Sequence, residues 1–499
     1  MPDAVKLEEK IESLEQTLID QKSYILQLEE HIRHLKHKQF GASSEKISAD
    51  QLALFNEAEV IDAESTSGEE APVTIKAHTR QSKPRVSIPE HYPREVITYD
   101  LDEADKVCPH DQTPLKPAGS DDHEQLAIIP AQIKVIVHQR LKYACPCCES
   151  HVVTASKPKQ PIEKSIASPS LLAYVATQKF CDALPLYRQS AIFKRSGIHL
   201  DRANLANWMI KVGELFQPMV DRLHDHINAQ PVVHMDETTG QVLKEPDKSA
   251  QTKSYFWLMA SFQQHPAMVF HYDPGRSSQV VRTLLSKSVS ALMCDGYSAY
   301  DAVCAEFEII LLGCMAHARR KFIDAQKLQP KGKVGKADHA IAQIATLYRI
   351  EKKAKDLSTD ERYRIRQEEA KPILDELKLW LDKSLLTVAP KTKLGLALSY
   401  LSNQWLTLVR YIDHGDYPID NNPAENAIRP FVIGRKNWLF SVSQAGAKAS
   451  ANIYSIIETA KANQLNPQRY LEKLLTELPN LEEKAQIDEL LPWVVQDCQ

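Results

Sequence analysis

The stretch Asp420–Phe440, DNNPAENAIRPFVIGRKNWLF, joins a helix start to a basic and aromatic run. Asn422 is able to cap a helix, Pro423 suits the first helical position, and Glu425 follows three residues after the cap. Arg429, Arg435, Lys436 and the exposed-looking Trp438 come next. A carboxylate in a first turn beside such a run suits the handling of phosphates. The competing reading makes Glu425 the third residue of a capping box, folded back on the backbone.

Working outward, the chain is long enough for several domains: 499 residues, 43% hydrophobic and 25% charged. A net charge of -4 excludes a polycation, so any nucleic-acid contact must come from local basic patches. No apolar run nears the roughly 18 residues of a membrane span, and no signal segment is evident. With nine cysteines and no signal segment, a reducing cytoplasm is expected, and paired cysteines suggest metal before disulfide.

Upstream of Asp420, short apolar runs at Val232–Asp236, Ser254–Ser261, Ala267–Tyr272, Ser290–Asp295 and Glu308–Leu312 read as strands, with a helix at Ser277–Leu285. Asp236 and Asp295 each end one of these runs, where α/β sheets place ligands. Two strand-end carboxylates plus Glu425 from a helix are the donor set for two Mg²⁺ ions in phosphoryl transfer. Each acid alone is equally a turn cap. A second basic cluster, His317, Arg319, Arg320 and Lys321, follows the fifth strand, and a helical region from Gly313 to about His414, with a capping box at Ser358 and Glu361, separates the sheet pattern from Asp420. Further helices are expected at Ala449–Ala462 and Pro467–Leu478. On these residues alone, a metal-dependent phosphoryl-transfer enzyme acting on nucleic acid is expected.

The first half carries accessory signals. Leu7, Ile11, Leu14, Leu18, Ile25, Leu28, Ile32 and Leu35 form a heptad pattern with Gln21 at the missing position. It reads as a self-associating coiled coil, or else as one amphipathic helix packed on its own protein. Gln51–Ile75 holds acids but no Lys or Arg and reads as a linker, followed by a basic, proline-containing arm. Cys108 and Asp111 (with His110 as a neighbouring option), then Cys145 and Cys148, flank a strand-like Ile128–Leu141, the layout of a zinc ribbon or of a metal-free hairpin. Phe193–Met209 reads as a helix, a Gly197 turn and a helix capped by Asp201, which fits a helix-turn-helix offering Arg202, Asn204 and Asn207 to DNA, or a plain helical hairpin.

These pieces together resemble the transposases of the bacterial insertion sequence 66 family, DDE-type enzymes, over essentially the whole chain. The matching stretches, in order, are the zipper with FGASSEK (Phe40–Lys46), the cysteine knuckles, LPLYRQ (Leu184–Gln189), HMDET (His234–Thr238) and DGYSAYD (Asp295–Asp301). GCMAHARRKF (Gly313–Phe322), IDNNPAENAIRP (Ile419–Pro430), IGRKNWLFS (Ile433–Ser441), ETAKANQLNPQRYL (Glu458–Leu471) and LLPW (Leu490–Trp493) complete them. The resemblance implies a multidomain α+β chain with an RNase H-like mixed α/β core and an all-helical insertion. Before that core it implies a coiled coil, a zinc-ribbon-like hairpin domain and a helical, helix-turn-helix-like domain.

The expected boundaries are 1–45 coiled coil, 46–95 linker and arm, 96–160 ribbon and 161–228 helical DNA-binding domain. The core first part is 229–317, the insertion 318–415, the core last part 416–445 and the C-terminal helices 446–499. Asp236, Asp295 and Glu425 carry the implied DDE triad, holding two Mg²⁺ or Mn²⁺ ions, with Zn²⁺ at Cys108, Asp111, Cys145 and Cys148. Double-stranded DNA is the implied substrate, a homo-oligomer the implied assembly, and small proteins of the same element the implied accessories. The setting is the bacterial cytoplasm, on the nucleoid when DNA is bound. Arg429, Arg435 and Lys436 would hold phosphates, with Arg319, Arg320, Lys321 and Trp438 as further expected DNA contacts. The chain departs from the family in two places. Asp111 replaces a cysteine, and Asn426 replaces the arginine that usually follows the glutamate, which lowers turnover if that arginine contacts DNA or orients the carboxylate. A degenerate or domesticated end-binding protein that no longer cuts is therefore the alternative.

Overall fold

The computed structural model describes residues 152–329, 334–482, 484–495 and 498. It also describes 132–144, Val96 and scattered helical positions between Lys10 and Ile32. The chain divides into two units, Glu69–Lys157 and the remainder. The zinc ligand candidates Cys108, Asp111, Cys145 and Cys148 lie outside the described residues.

In the smaller unit, β1 (Lys142–Ala144) pairs antiparallel with β2 (Val152–Thr154), Tyr143 opposite Val153. The strand expected over Ile128–Leu141 is corrected: residues 132–141 belong to no strand, the β1 ladder beginning at Lys142. Their apolar side chains, Ile133, Val135, Ile136 and Val137, are exposed, so the alternating pattern has no face to bury here. In the N-terminal segment the described positions are helical, and Ile11, Leu14, Leu18, Ile25, Leu28 and Ile32 are all exposed.

The main body opens with four helices: α1 (Pro169–Phe180), α2 (Leu186–Arg195), α3 (Arg202–Leu215) and α4 (Gln217–Asn228). Ser168 caps α1, its side chain accepting from Leu171 N at 3.2 Å. Gly197, at φ +82°, makes the turn between α2 and α3 that an L side chain would strain.

A five-strand path follows in the order β5-β4-β3-β6-β7. It comprises β3 (Val232–Lys244), β4 (Lys253–Ser261), β5 (Ala267–Asp273), β6 (Ala291–Cys294) and β7 (Ile310–Gly313). The first three form an antiparallel meander, while β6 and β7 run parallel to β3. α5 (Ser278–Leu284) crosses between β5 and β6, and α6 (Ser298–Phe307) between β6 and β7. The sequence reading missed α6 and began the fifth strand too early, at Glu308. Glu308 instead ends that helix in the left-handed conformation, at φ +60°.

The reading of Asp236 as a strand end is also corrected. β3 runs eight residues further, because β4 continues to pair with it as far as Gln241 opposite Lys253. Only its parallel partner β6 stops early, the last pair being His234 with Met293. Asp236 therefore stands two residues beyond the β3–β6 ladder, and Asp295 directly follows β6.

A second helical body departs from β7, beginning with α7 (Met315–Gln326) and continuing through α8 (Lys336–Ala354), α9 (Thr359–Ile365), α10 (Lys371–Leu385), α11 (Lys393–Asn403) and α12 (Trp405–Val409). It has its own core, including Phe322, Ile344, Leu347, Leu374, Leu381 and Leu401. The Ser358–Glu361 capping box that opens α9 is present, with Ser358 N donating to Glu361 Oε2 at 3.0 Å.

The chain returns to the sheet through α13 (Asn422–Trp438), a short β8 (Ser441–Ser443) beside the far end of β3, α14 (Gln444–Ala462) and α15 (Pro467–Glu477). Edge strand β5 is closed off by hydroxyls of the buried α14. Ser455 Oγ accepts from Phe270 N at 2.7 Å, and Thr459 Oγ1 accepts from Met268 N at 3.0 Å. α14 packs so tightly on α3 that a Cβ on Gly213 would lie 2.4 Å from Ala449 Cα. None of the described helices is long and apolar enough to cross a membrane.

Candidate active site

Three elements distant in sequence converge on one group of acids. β3 supplies Asp236, whose Oδ1 accepts from Glu237 N at 2.8 Å. The turn after β6 supplies Asp295, whose Oδ1 accepts from Tyr297 N at 2.9 Å. The first turn of α13 supplies Glu425, buried at 9% exposure. Burial pushes the Asp236 carboxyl well above the usual carboxylate range, and the charges of Glu425, Glu237 and Asp295 push it further.

Glu425 is not a capping-box residue. The cap position is Asn421 rather than Asn422, which puts Glu425 one position too far along for the box. Its oxygens face α7 instead: Oε2 accepts from Arg320 Nη2 at 3.1 Å, and Oε1 lies 3.4 Å from His317 Nδ1. Burial lowers the His317 pKa, against the opposing pull of Glu425.

Asp420 takes over the start of the helix, accepting from Asn422 N at 3.1 Å and from Tyr348 Oη at 2.7 Å. Burial raises its carboxyl to about 6. Asn421 then bolts helix to sheet. Its Nδ2 donates to Met235 O at 2.9 Å, its Oδ1 pairs with His234 Nδ1 at 2.9 Å, and its backbone N–H donates to Cys314 Sγ at 3.2 Å. An amide oxygen only accepts, so His234 carries its proton on Nδ1. Burial lowers this imidazole to about 4, keeping it neutral near pH 7.

Sequence reasoning missed Glu237. Its side chain is 3% exposed, paired with Arg276 and bonded by Tyr300 Oη at 2.5 Å. The alternation of a strand argues against two adjacent residues serving one site, which is why HMDET pointed only to Asp236. It also missed His317 and Arg320 as partners of Glu425; the run CMAHARR showed only basic character.

Two donor sets are present. Asp236, Asp295 and Glu425 offer hard carboxylate oxygens, with Glu237 nearby, and their mutual repulsion is what a divalent cation would relieve. Cys314, His317 and Glu425 also bring one ligand atom each within 4.8 Å of one another. That second set is softer, and the buried thiol is pushed well above its usual range, so it suits Mg²⁺ poorly.

The sequence-assigned DNA contacts divide. Arg202, Asn204 and Asn207 are exposed on α3. Lys321 is exposed with its Nζ 4.5 Å over the Tyr400 ring, and Lys436 is exposed. Arg429 and Arg435 are half-buried. Arg435 Nη1 reaches Thr239 Oγ1 at 3.3 Å, and burial lowers its pKa.

Arg319 is corrected: at 1% exposure it lies inside, because that face of α7 packs into the helical core. Trp438 is corrected as well. Its ring meets Phe180 edge-on at 6.3 Å and is covered by Lys179 Nζ at 3.9 Å, so it is a packing residue. Burial brings Lys179 down to about 8.

A family profile described as "Transposase IS66 family" matches residues 164–449, more than half of the chain and all three acids. The chain belongs to the IS66 transposase family. Three further profiles match this IS66-family chain. They are the zinc-finger binding domain of transposase IS66 at residues 105–149, the IS66 C-terminal element at 455–493, and Transposase C of IS166 homeodomain at 27–97.

Among similar chains from Sinorhizobium fredii, the uncharacterized protein y4qI is 33% identical across 75% of this chain and 71% of its own length. The uncharacterized protein y4jD is 28% identical across 97% of both, and y4hP is 28% identical across 94% of this chain and 88% of its own.

Proposed function

We propose that this chain is a DNA transposase of the DDE type that binds the ends of its insertion sequence, cuts a strand there and joins the freed end to target DNA. The observation that carries the reading is the Asp236 carboxyl, driven upward by burial and by the charges of Glu425, Glu237 and Asp295. Such repulsion has no structural benefit and is relieved by a divalent cation. Asp236, Asp295 and Glu425 would hold two Mg²⁺ or Mn²⁺ ions, which supply activation of the attacking oxygen and charge stabilisation at the leaving one.

The protein's own part is positioning. Asn421 fixes the α13 start against β3 at His234 and Met235, and Glu425 lies near enough to Asp236 for its charge to act there. Tyr297 N orients Asp295, and Arg320 with His317 orients Glu425. Lys321, Arg429, Arg435 and Lys436 lie on the same two helices and are the proposed phosphate contacts. An RNase H-like core fits the order β5-β4-β3-β6-β7 with three antiparallel and then parallel strands. The helices between Met315 and Asp413 are its proposed insertion.

Upstream, a ribbon over residues 96–160 is proposed to bind Zn²⁺ through Cys108, Asp111, Cys145 and Cys148. The exposed face of α3 is proposed to read element ends through Arg202, Asn204 and Asn207. The exposed heptad side chains favour a homo-oligomer through the N-terminal helix. Small proteins of the same element complete the machinery, acting in the bacterial cytoplasm.

One observation favours the non-cutting alternative: Asn426, where the family usually has arginine, is exposed directly after Glu425. Cleavage of labelled element-end DNA in Mg²⁺ or Mn²⁺, with accessory proteins supplied, separates the two. Wild type should cut, while Asp295→Asn and Glu425→Gln should bind and not cut. Binding without cutting by the wild type refutes the enzyme.

A further inference from the structure

Arg276, which follows β5 and precedes α5, lies outside every cluster that the sequence pointed to. Its Nε donates to Glu237 Oε1 at 2.9 Å, and its Nη2 also pairs with that oxygen. Its guanidinium lies 3.8 Å from the centroid of the Tyr297 ring, and Tyr297 Oη donates back to the carbonyl of Arg276 at 2.6 Å. Tyr300 Oη holds the other Glu237 oxygen. The cation is thus held by Glu237 of the HMDET stretch and Tyr297 of the DGYSAYD stretch, with Tyr300 fixing Glu237 in turn. Its side chain nevertheless stays 38% exposed, against 3% for Glu237. Nη1 is left without a partner among the described residues.

Neutralising a buried carboxylate does not require the guanidinium to stay open to solvent, and stacking on Tyr297 fixes its direction. A rigid, half-exposed fork is instead the donor geometry that matches a phosphate, with little side-chain entropy left to lose on contact. Asp295, one of the three acids proposed to hold the cations, is near enough for its charge to act on both Glu237 and Arg276.

We propose that Arg276 is a DNA phosphate contact at the rim of the active site, held in place by Glu237, Tyr297 and Tyr300. The assignment rests on the nucleic-acid reading given above. It makes Glu237 a positioning residue that acts through Arg276 rather than a fourth cation ligand.

The test uses the full chain, a mixed-sequence duplex oligonucleotide and EDTA, so that nothing is cut. Arg276→Gln combined with Glu237→Gln removes one charge of each sign and leaves the net charge unchanged. Binding should weaken about tenfold, the scale of one charge-assisted hydrogen bond. The slope of log affinity against log salt should flatten by about 0.9, one phosphate contact. Arg276→Lys keeps Glu237 paired, guards against a folding defect in the double variant, and should fall between it and the wild type.

Wild-type affinity and slope in both variants overturn the proposal and leave Arg276 as a counter-ion alone. Absence of duplex binding by the wild type would instead overturn the nucleic-acid reading beneath it.

Discussion

Replacing Asp420 with asparagine should stabilise the protein at pH 8 and leave it nearly unchanged at pH 4. Asp420 is 8% exposed, and burial raises its carboxyl from the ordinary 3.8 to about 6. A carboxyl raised by folding contributes stability that is fully present below about 3.8 and is lost as pH rises through about 6. The difference of about 2.2 units corresponds to about 3 kcal/mol of penalty for holding the ionised form. Asparagine removes the charge and keeps an acceptor for Asn422 N–H, while its Nδ2 replaces the Oδ2 that accepts from Tyr348 Oη and Asn422 Nδ2, so the tyrosine hydroxyl turns to accept, as it does toward a protonated carboxyl.

Thermal unfolding of both proteins from pH 4 to pH 8 reads the effect. The midpoint of D420N should exceed the wild type by roughly 6–12 °C at pH 8, taking about 2–4 °C per kcal/mol for a domain of this size. The gap should close toward pH 4. A gap independent of pH refutes the reasoning. So does a wild type more stable at pH 8, which would mean that the bonds to the ionised carboxylate outweigh its burial.

Two further outcomes follow from the same site. Asn421→Ala leaves the His234 Nδ1–H and the Met235 carbonyl buried without their partner and should cost about 2–5 kcal/mol in chemical unfolding; a loss under about 1 kcal/mol would show that α13 is not held through this amide. Asp236 is raised, so without cation its stability contribution falls as pH rises through its shifted pKa. Mg²⁺ at about 100 times its Kd should therefore add about 2.7 kcal/mol at pH 8, less at pH 5, and little in Asp295→Asn; equal Mg²⁺ shifts at both pH values and in the variant would sink the carboxylate cluster as a cation site.

Much of the layout was legible before any coordinates. The β-branched runs, the capping box at Ser358 and Glu361, the glycine turn at Gly197 and the helix beginning at Asn422 are signalled by local residue types. The motifs around Asp236, Asp295 and Glu425 located the acids by resemblance. Asp236 itself was placed at a strand end, and it lies within β3 because the antiparallel partner β4 prolongs that strand beyond its parallel one.

What the sequence alone determined is the set of local signals: which stretches turn, cap, alternate or run apolar, and in what order they come. Tertiary structure decided what each side chain meets. Glu425 is free of capping because Asp420 and Asn421 serve the helix start, drawing on Tyr348, 72 residues before Asp420, and His234, 187 before Asn421. Arg319 and Arg320 are neighbours in one basic run. Helical geometry turns the first into a packed core and the second toward Glu425, 105 residues away. Trp438, read as an exposed aromatic at the end of the opening stretch, is covered by Lys179 and Phe180 from α1. Residue type and spacing report the period of a single element, whereas burial and charge pairing depend on which other element closes over it.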